Sequence, residues 1–548
     1  MNTISRRQFS AGLGLLGAAQ LLGAQPSGGL PPQCLGGKPP GRVDIDVHCH
    51  VFNGSDLQIE RFLVLVASAT FNPFLRKVIQ WLAKPLQRSV WKHAPKATSE
   101  LDKLGRFQKA DPRHAEKMEA LYLEDSKETD QTYAKWFSEE LATAEGKQFL
   151  DAYRDYVDSV AGTSDEAGRA IRESLPSSEL ERLRDPDALL RQIEHEKRLA
   201  NYSLASIFGF VHAFYAYRFE HVYYLLKNYG CDRGTIQMVA AALVDYDYPL
   251  GFTEETPSHL DDQFKVMARL SEVFEGRLLT YLAFDPWRVA NGDRSVWEAA
   301  HSYLTNGAAL GIKLYPPMGF APLENSKFDP FPRSWPTPQK QFGEALEAAM
   351  KEMWEFATSL DVPVIAHAGR SNAPYGDRVG LGSPDNWQKV FDNYPKARVC
   401  FGHFGGEGLL EEKEDDWPTR FLKEIQQYPN ACGDIAYFED VLGPRKVVDA
   451  LGGRLSTFLA ASRAAPQKML YGSDWLMLAS EAHSEEYFAR FAKLFADSKL
   501  FKPEWRGEIL SANAQNFLGL HPGNRPRSRL ETFYKNRGVN AAWLKEIA

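Results

Sequence analysis

Asp46-Val47-His48-Cys49-His50 is the stretch on which the reading of the fold turns. It lies in a short run, 43–51, that alternates in the manner of a buried strand. Residues two apart in a strand share a face, so both imidazoles point together and Cys49 points the other way. Two imidazoles at one strand end can bind a single borderline-soft cation such as Zn²⁺. Pairs of this kind also occur as ordinary polar residues, so the rest of the chain has to decide.

From about residue 231 short apolar runs recur, at 236–244, 278–284, 308–314, 362–366, 397–401, 431–437 and 468–471. Helical stretches such as 341–360 and 485–494 fall between or after them. With 43–51 these runs make eight strands, each followed by helical material. Continuous apolar strands alternating with helices imply a parallel sheet covered by helices. Eight such units suggest an α/β fold of the (β/α)8 TIM-barrel type. His367 follows Val362-Pro363-Val364-Ile365-Ala366, His403 follows Val399-Cys400-Phe401-Gly402, and Asp474 follows Met469-Leu470-Tyr471-Gly472-Ser473. All three therefore sit at C-terminal strand ends, the barrel face where catalytic groups collect.

Composition allows this and excludes other classes. The chain has 548 residues, 44% hydrophobic and 25% charged, the profile of a globular protein with a sizeable core. A net charge of −7 argues against a general nucleic-acid binder. Cys34, Cys49, Cys231, Cys400 and Cys432 are scattered, without C-x-x-C or finger spacing, and do not read as a disulfide framework.

The N-terminus is of another kind. Ser5-Arg6-Arg7-Gln8-Phe9 precedes an apolar stretch rich in Gly, Ala and Leu, too short for a comfortable membrane span. It resembles the twin-arginine export signal of bacteria, which implies the export machinery as a partner and a periplasmic or otherwise exported location for a protein cut near residue 24. Gly12-Leu13-Gly14-Leu15-Leu16-Gly17 matches the dinucleotide-binding pattern, but no strand precedes it and the match is accidental. Residues 25–41 are rich in Pro and Gly and read as a linker.

Between strands one and two lies a long insertion, 54–230, charged and helix-favouring, including 187–198 and an uncharged aromatic stretch, 199–217. Its place directly after strand one puts its start on the catalytic face, so a helical subdomain over the barrel mouth is expected, with Phe208, Phe210, Phe214, Tyr215 and Tyr217 forming a private core or lining a pocket. Stretches 199–217 and 62–88 are read as buried or lid helices, with contact to a membrane surface the lesser alternative. The barrel is expected over 42–53 and 231–520, with 521–548 as a C-terminal tail.

Taken in order, Asp46-Val47-His48-Cys49-His50-Val51-Phe52, Gly311-Ile312-Lys313-Leu314-Tyr315-Pro316, Val364-Ile365-Ala366-His367-Ala368-Gly369, Phe401-Gly402-His403-Phe404-Gly405-Gly406, Tyr471-Gly472-Ser473-Asp474-Trp475 and Asn513-Ala514-Gln515-Asn516-Phe517-Leu518-Gly519-Leu520 resemble the amidohydrolase superfamily, in its amidohydrolase-related branch. The insertion departs from that pattern. The resemblance implies one divalent metal ion, zinc by preference, held by His48, His50, His367 and Asp474, with His403 completing the site or hydrogen-bonding its water. Such an ion lowers the pKa of a water from about 15.7 toward roughly 7. Asp474 would take that water's proton. Lys313 would be an electrostatic or substrate-binding group, or a carbamylated bridge between two ions, or a packing residue. Arg370 would pair with an acidic small-molecule substrate or be an exposed loop arginine.

The expected activity is hydrolysis of an ester, lactone or amide. The alternatives are non-oxidative decarboxylation of an aromatic or unsaturated acid and, against the full set of metal-type residues, a non-catalytic binding protein.

Overall fold

The computed structural model describes residues 42–66, 73–107, 111, 113–148, 204–251, 254–327, 341–374, 376–406, 416–481 and 483–547. The expected export signal, 1–24, the expected linker, 25–41, and the charged stretch 187–198 lie outside the described residues.

Each apolar run yields a strand: β1 Asp44–His50, β2 Ile236–Ala242, β3 Leu278–Ala283, β4 Gly311–Leu314, β5 Val364–His367, β6 Val399–Gly402, β7 Ala431–Asp434 and β8 Met469–Leu470. Every residue in them is buried, as strands sandwiched between a barrel interior and a helical coat must be. The eight pair in parallel and in chain order. Backbone bonds from Val47 N to Tyr471 O (3.0 Å) and from Ser473 N to His48 O (3.1 Å) join β1 to the chain leaving β8. The protein is a (β/α)8 TIM barrel.

The insertion supplies α1 Pro73–His93, α2 Ala97–Leu104, α3 His114–Leu141, α4 Leu204–Ala213 and α5 Arg218–Lys227. The barrel coat follows, with α6 Leu260–Val273 after β2, α7 Ser295–Asn306 after β3, α8 Phe342–Leu360 after β4, α9 Gln388–Asn393 after β5, α10 Trp417–Gln427 after β6, α11 Arg445–Ala460 after β7 and α12 Tyr487–Leu494 after β8. In α8 the buried residues Phe342, Leu346, Ala349, Met350, Met353, Trp354 and Ala357 recur at three- and four-residue steps, one stripe facing the strands. Asp361 ends that helix in a left-handed conformation.

The interior layer of Ile45, Val47, Met238, Leu279, Ile365 and Leu470 is continuous with Phe517, Leu530, Phe533, Tyr534 and Trp543. These come from α13 Asn513–Leu518, α14 Arg525–Arg537 and the turn at 542–546. The segment read as a tail is thus an ordered cap, because its aromatic residues complete the barrel's apolar core.

The insertion packs α2 on α6, α5 on β2 and α4 on the turn that follows β8. Its chain ends are tied together by Arg218, fully buried, which donates to Asp56 (Nε to Oδ2, 3.1 Å) and to Glu100 (Nη1 to Oε2, 2.8 Å). No helix among the described residues is long and apolar enough to cross a membrane. Cys231 is disulfide-bonded, while Cys49, Cys400 and Cys432 are free and buried. Cysteine spacing carried no sign of that bond, since the fold rather than the spacing brings sulfurs together.

Candidate active site

A bulge in β1 aims the two imidazoles. Asp46 pairs with Val239 but Cys49 with Ala241, so the chain slips by one residue between them. Ile45 and Val47 face the barrel interior before the slip, and His48 and His50 converge on the site after it, while Cys49 joins the outer core. Glycine is required beside His48. A Cβ at Gly402 would lie 2.9 Å from its ring and one at Gly472 2.8 Å from its Cβ.

Three histidines are held by the same device. His48 Nδ1 donates to Asp434 Oδ2 (3.0 Å), His50 Nδ1 to Ala242 O (2.8 Å) and His403 Nδ1 to Ala436 O (3.0 Å). In its neutral form each ring thereby presents Nε2 as an acceptor. Asp474 brings Oδ1 to 3.1 Å from His50 Nε2 and 3.6 Å from His48 Nε2, yet that oxygen accepts no well-aligned hydrogen bond. His48, His50 and Asp474 thus offer three donor atoms within 4.8 Å of one another, and His48, His403 and Asp434 form a second such group. An orphaned carboxylate oxygen facing bare ring nitrogens is what a cation would satisfy, and the donor set suits a divalent ion.

His367 ends β5 as expected and lines the same cleft, but its Nδ1 lies 3.1 Å from His403 Nε2 and its Nε2 3.2 Å from Ser371 Oγ. Burial lowers the pKa of His367 and His48, which keeps both neutral. Lys313, on β4, is buried with Nζ 2.6 Å from His48 Nε2, and burial lowers its pKa to about 8. Arg370 lies with its guanidinium 4.3 Å from the centre of the Trp417 ring and is not among the residues lining the cleft.

Asp434 and Tyr315 were missed. Asp434 ends β7, but the run 431–437 was read as one strand that carried past it. Its Oδ1 also accepts from His403 N (2.9 Å) and Ala436 N (3.0 Å), so it orients two imidazoles at once. Tyr315 follows β4 directly and sets its hydroxyl 3.2 Å from His50 Nε2.

The cleft is small and partly enclosed. His50, His367, His403 and Asp474 line it, with Phe52, Phe62, Val244, Tyr246, Tyr315, Asn372 and Met477 around them. Phe62 comes from the insertion and stacks on Tyr246 at 5.8 Å. The expected aromatics Phe210, Phe214, Tyr215 and Tyr217 are buried elsewhere, in the helical subdomain, where Tyr215 packs on Tyr133 and Trp136. Positive φ at Asn372, His403, Phe404, Tyr437, Asp474 and Leu476 marks the loops around the cleft. Such non-glycine residues store about 1–3 kcal/mol each, and they gather where side chains must be aimed.

Residues 276–520 match the family model described as amidohydrolase. The match supports the amidohydrolase superfamily for this barrel. It runs from just before β3 to the end of α13 and takes in His367, His403, Asp434 and Asp474, though not β1. Comparison with curated proteins returned no match. Among solved structures, a TIM-barrel protein of Bordetella bronchiseptica is 14% identical over 60% of this chain and 89% of that one, with a TM-score of 0.35. The 5-carboxyvanillate decarboxylase of Sphingomonas paucimobilis is 12% identical over 68% of this chain and 96% of that one, with a TM-score of 0.33. A zinc-bound amidohydrolase of Burkholderia multivorans is 12% identical over 52% and 84%, with a TM-score of 0.34. Likenesses this distant carry no weight for function.

Proposed function

We propose that this amidohydrolase-type barrel is a metal-dependent hydrolase acting on an ester, lactone or amide. His48, His50 and Asp474 would hold one divalent ion, zinc by preference, with His367 and His403 beside them. The observation that carries this reading is Asp474 Oδ1, buried and without an aligned hydrogen bond, 3.1 Å from His50 Nε2.

A divalent ion at this site supplies Lewis acidity to a carbonyl and brings the pKa of a water toward neutrality. Asp474, kept as a carboxylate, accepts the proton of the attacking water and passes it to the leaving group. Lys313 sets a buried amine beside His48 and adds positive potential where negative charge develops. Phe52, Phe62 and Tyr246 exclude water from an apolar group of the substrate.

The helical insertion would shape that pocket through Phe62. Export by the twin-arginine route is proposed from residues 1–24, and the disulfide at Cys231 fits an oxidising compartment.

The test is elemental analysis of protein purified without chelator, with a panel of esters, lactones, amides and aromatic acids. About one divalent ion per chain and chelator-sensitive hydrolysis support the reading. Carbon dioxide release without hydrolysis replaces it with the decarboxylase. Absence of an ion, with activity unaffected by chelation, refutes it.

A further inference from the structure

Tyr315 has no role in the chemistry above, yet its hydroxyl touches a proposed ligand atom. It lies 3.2 Å from His50 Nε2. His50 already donates its Nδ1 proton to Ala242 O, so Nε2 can only accept and Tyr315 must donate. The phenol ring is held from several sides. It stacks on His367 at 5.5 Å, meets Tyr246 edge-on at 4.9 Å and carries Lys313 Nζ 4.7 Å from its centre. Tyr246 is itself stacked on by Phe62.

The next step rests on the metal reading proposed above. His50 Nε2 has one lone pair, and a cation that takes it leaves the buried Tyr315 proton without its acceptor. A donor stranded in this way is costly, so a new acceptor must enter beside the cation. The cleft is where Tyr315 is open, and what enters the cleft is substrate. We propose that Tyr315, its ring packed edge-on against Tyr246, is a catalytic residue that donates a hydrogen bond to the substrate oxygen developing negative charge. The substrate is then an acyl compound whose carbonyl lies at Tyr315 and whose flat apolar group runs along Tyr246 and Phe62.

The experiment uses zinc-reconstituted full-length protein and benzohydroxamate, which offers an anionic oxygen pair and a flat ring. Tyr315→Phe is expected to keep its zinc and to bind benzohydroxamate about tenfold or more weaker, the worth of a hydrogen bond to a charged oxygen. Unchanged affinity in zinc-loaded Tyr315→Phe overturns the proposal. Loss of zinc from Tyr315→Phe also overturns it, because the phenol would then be holding His50 rather than substrate. Wild-type protein that takes up no zinc overturns the metal reading beneath it, and is told apart by the metal content of the wild type alone.

Discussion

His48 donates its Nδ1 proton to Asp434 across 3.0 Å of barrel interior, and neither side chain is exposed to solvent. A carboxylate behind an imidazole fixes the tautomer and raises the basicity of the far nitrogen. Asp434→Asn should therefore weaken divalent-metal affinity by about 10- to 100-fold while leaving the barrel folded. Competition against a chelator of known affinity measures this. Equal affinities for the two proteins would remove Asp434 from the site.

Replacing His48 and His50 together by alanine should abolish metal binding and hydrolysis. The apolar interior and its C-terminal cap, rather than the ion, should keep the barrel folded. An insoluble double variant, or one without helical circular dichroism, would make the pair structural.

Arg218 should matter for stability alone. Arg218→Met strands the carboxyls of Asp56 and Glu100, both fully buried, without their cation. The expected loss is about 3–5 kcal/mol, read from the urea midpoint. Adding Asp56→Asn and Glu100→Gln should recover part of it. A loss below about 1 kcal/mol would show that the network contributes little.

The contribution of Glu220 to stability should fall as pH rises from about 5 to 8. Burial raises the pKa of Glu220 from 4.5 to about 8. Across that window the unfolded chain has released this proton and the folded one retains it. The folded state therefore binds more protons, and the slope of stability with pH is negative, up to about 1.4 kcal/mol per unit. Glu220→Gln cannot ionise and should show a flatter profile. Parallel curves for variant and wild type would contradict the assignment.

Lysine at both Arg6 and Arg7 should hold the precursor in the cytoplasm if the twin-arginine route is used. Cell fractionation decides, and undiminished periplasmic protein would rule that route out.

The strands and the residues at their ends were legible in the chain because both are local properties. A run such as 362–366 announces a buried strand from its own composition, and His367 stands at its end whatever the other strands do. His48 and His50 share a side by the two-residue period alone. The insertion was visible as a change of pattern, and its helices follow. Tertiary structure alone decided which polar groups meet. Asp434 and His48 are 386 residues apart, and no periodicity relates them. The bulge in β1 depends on the register against β2, which only barrel closure sets. Arg370 found the Trp417 ring, Phe62 reached the cleft while the aromatics around 210–217 stayed in the helical core, and the segment after residue 520 folded under the barrel. The physical reason is common to all of these. Backbone preference and hydrophobic period act over a few residues, whereas the partner of a buried polar group is whichever side chain the closed ring brings within about 3 Å of it.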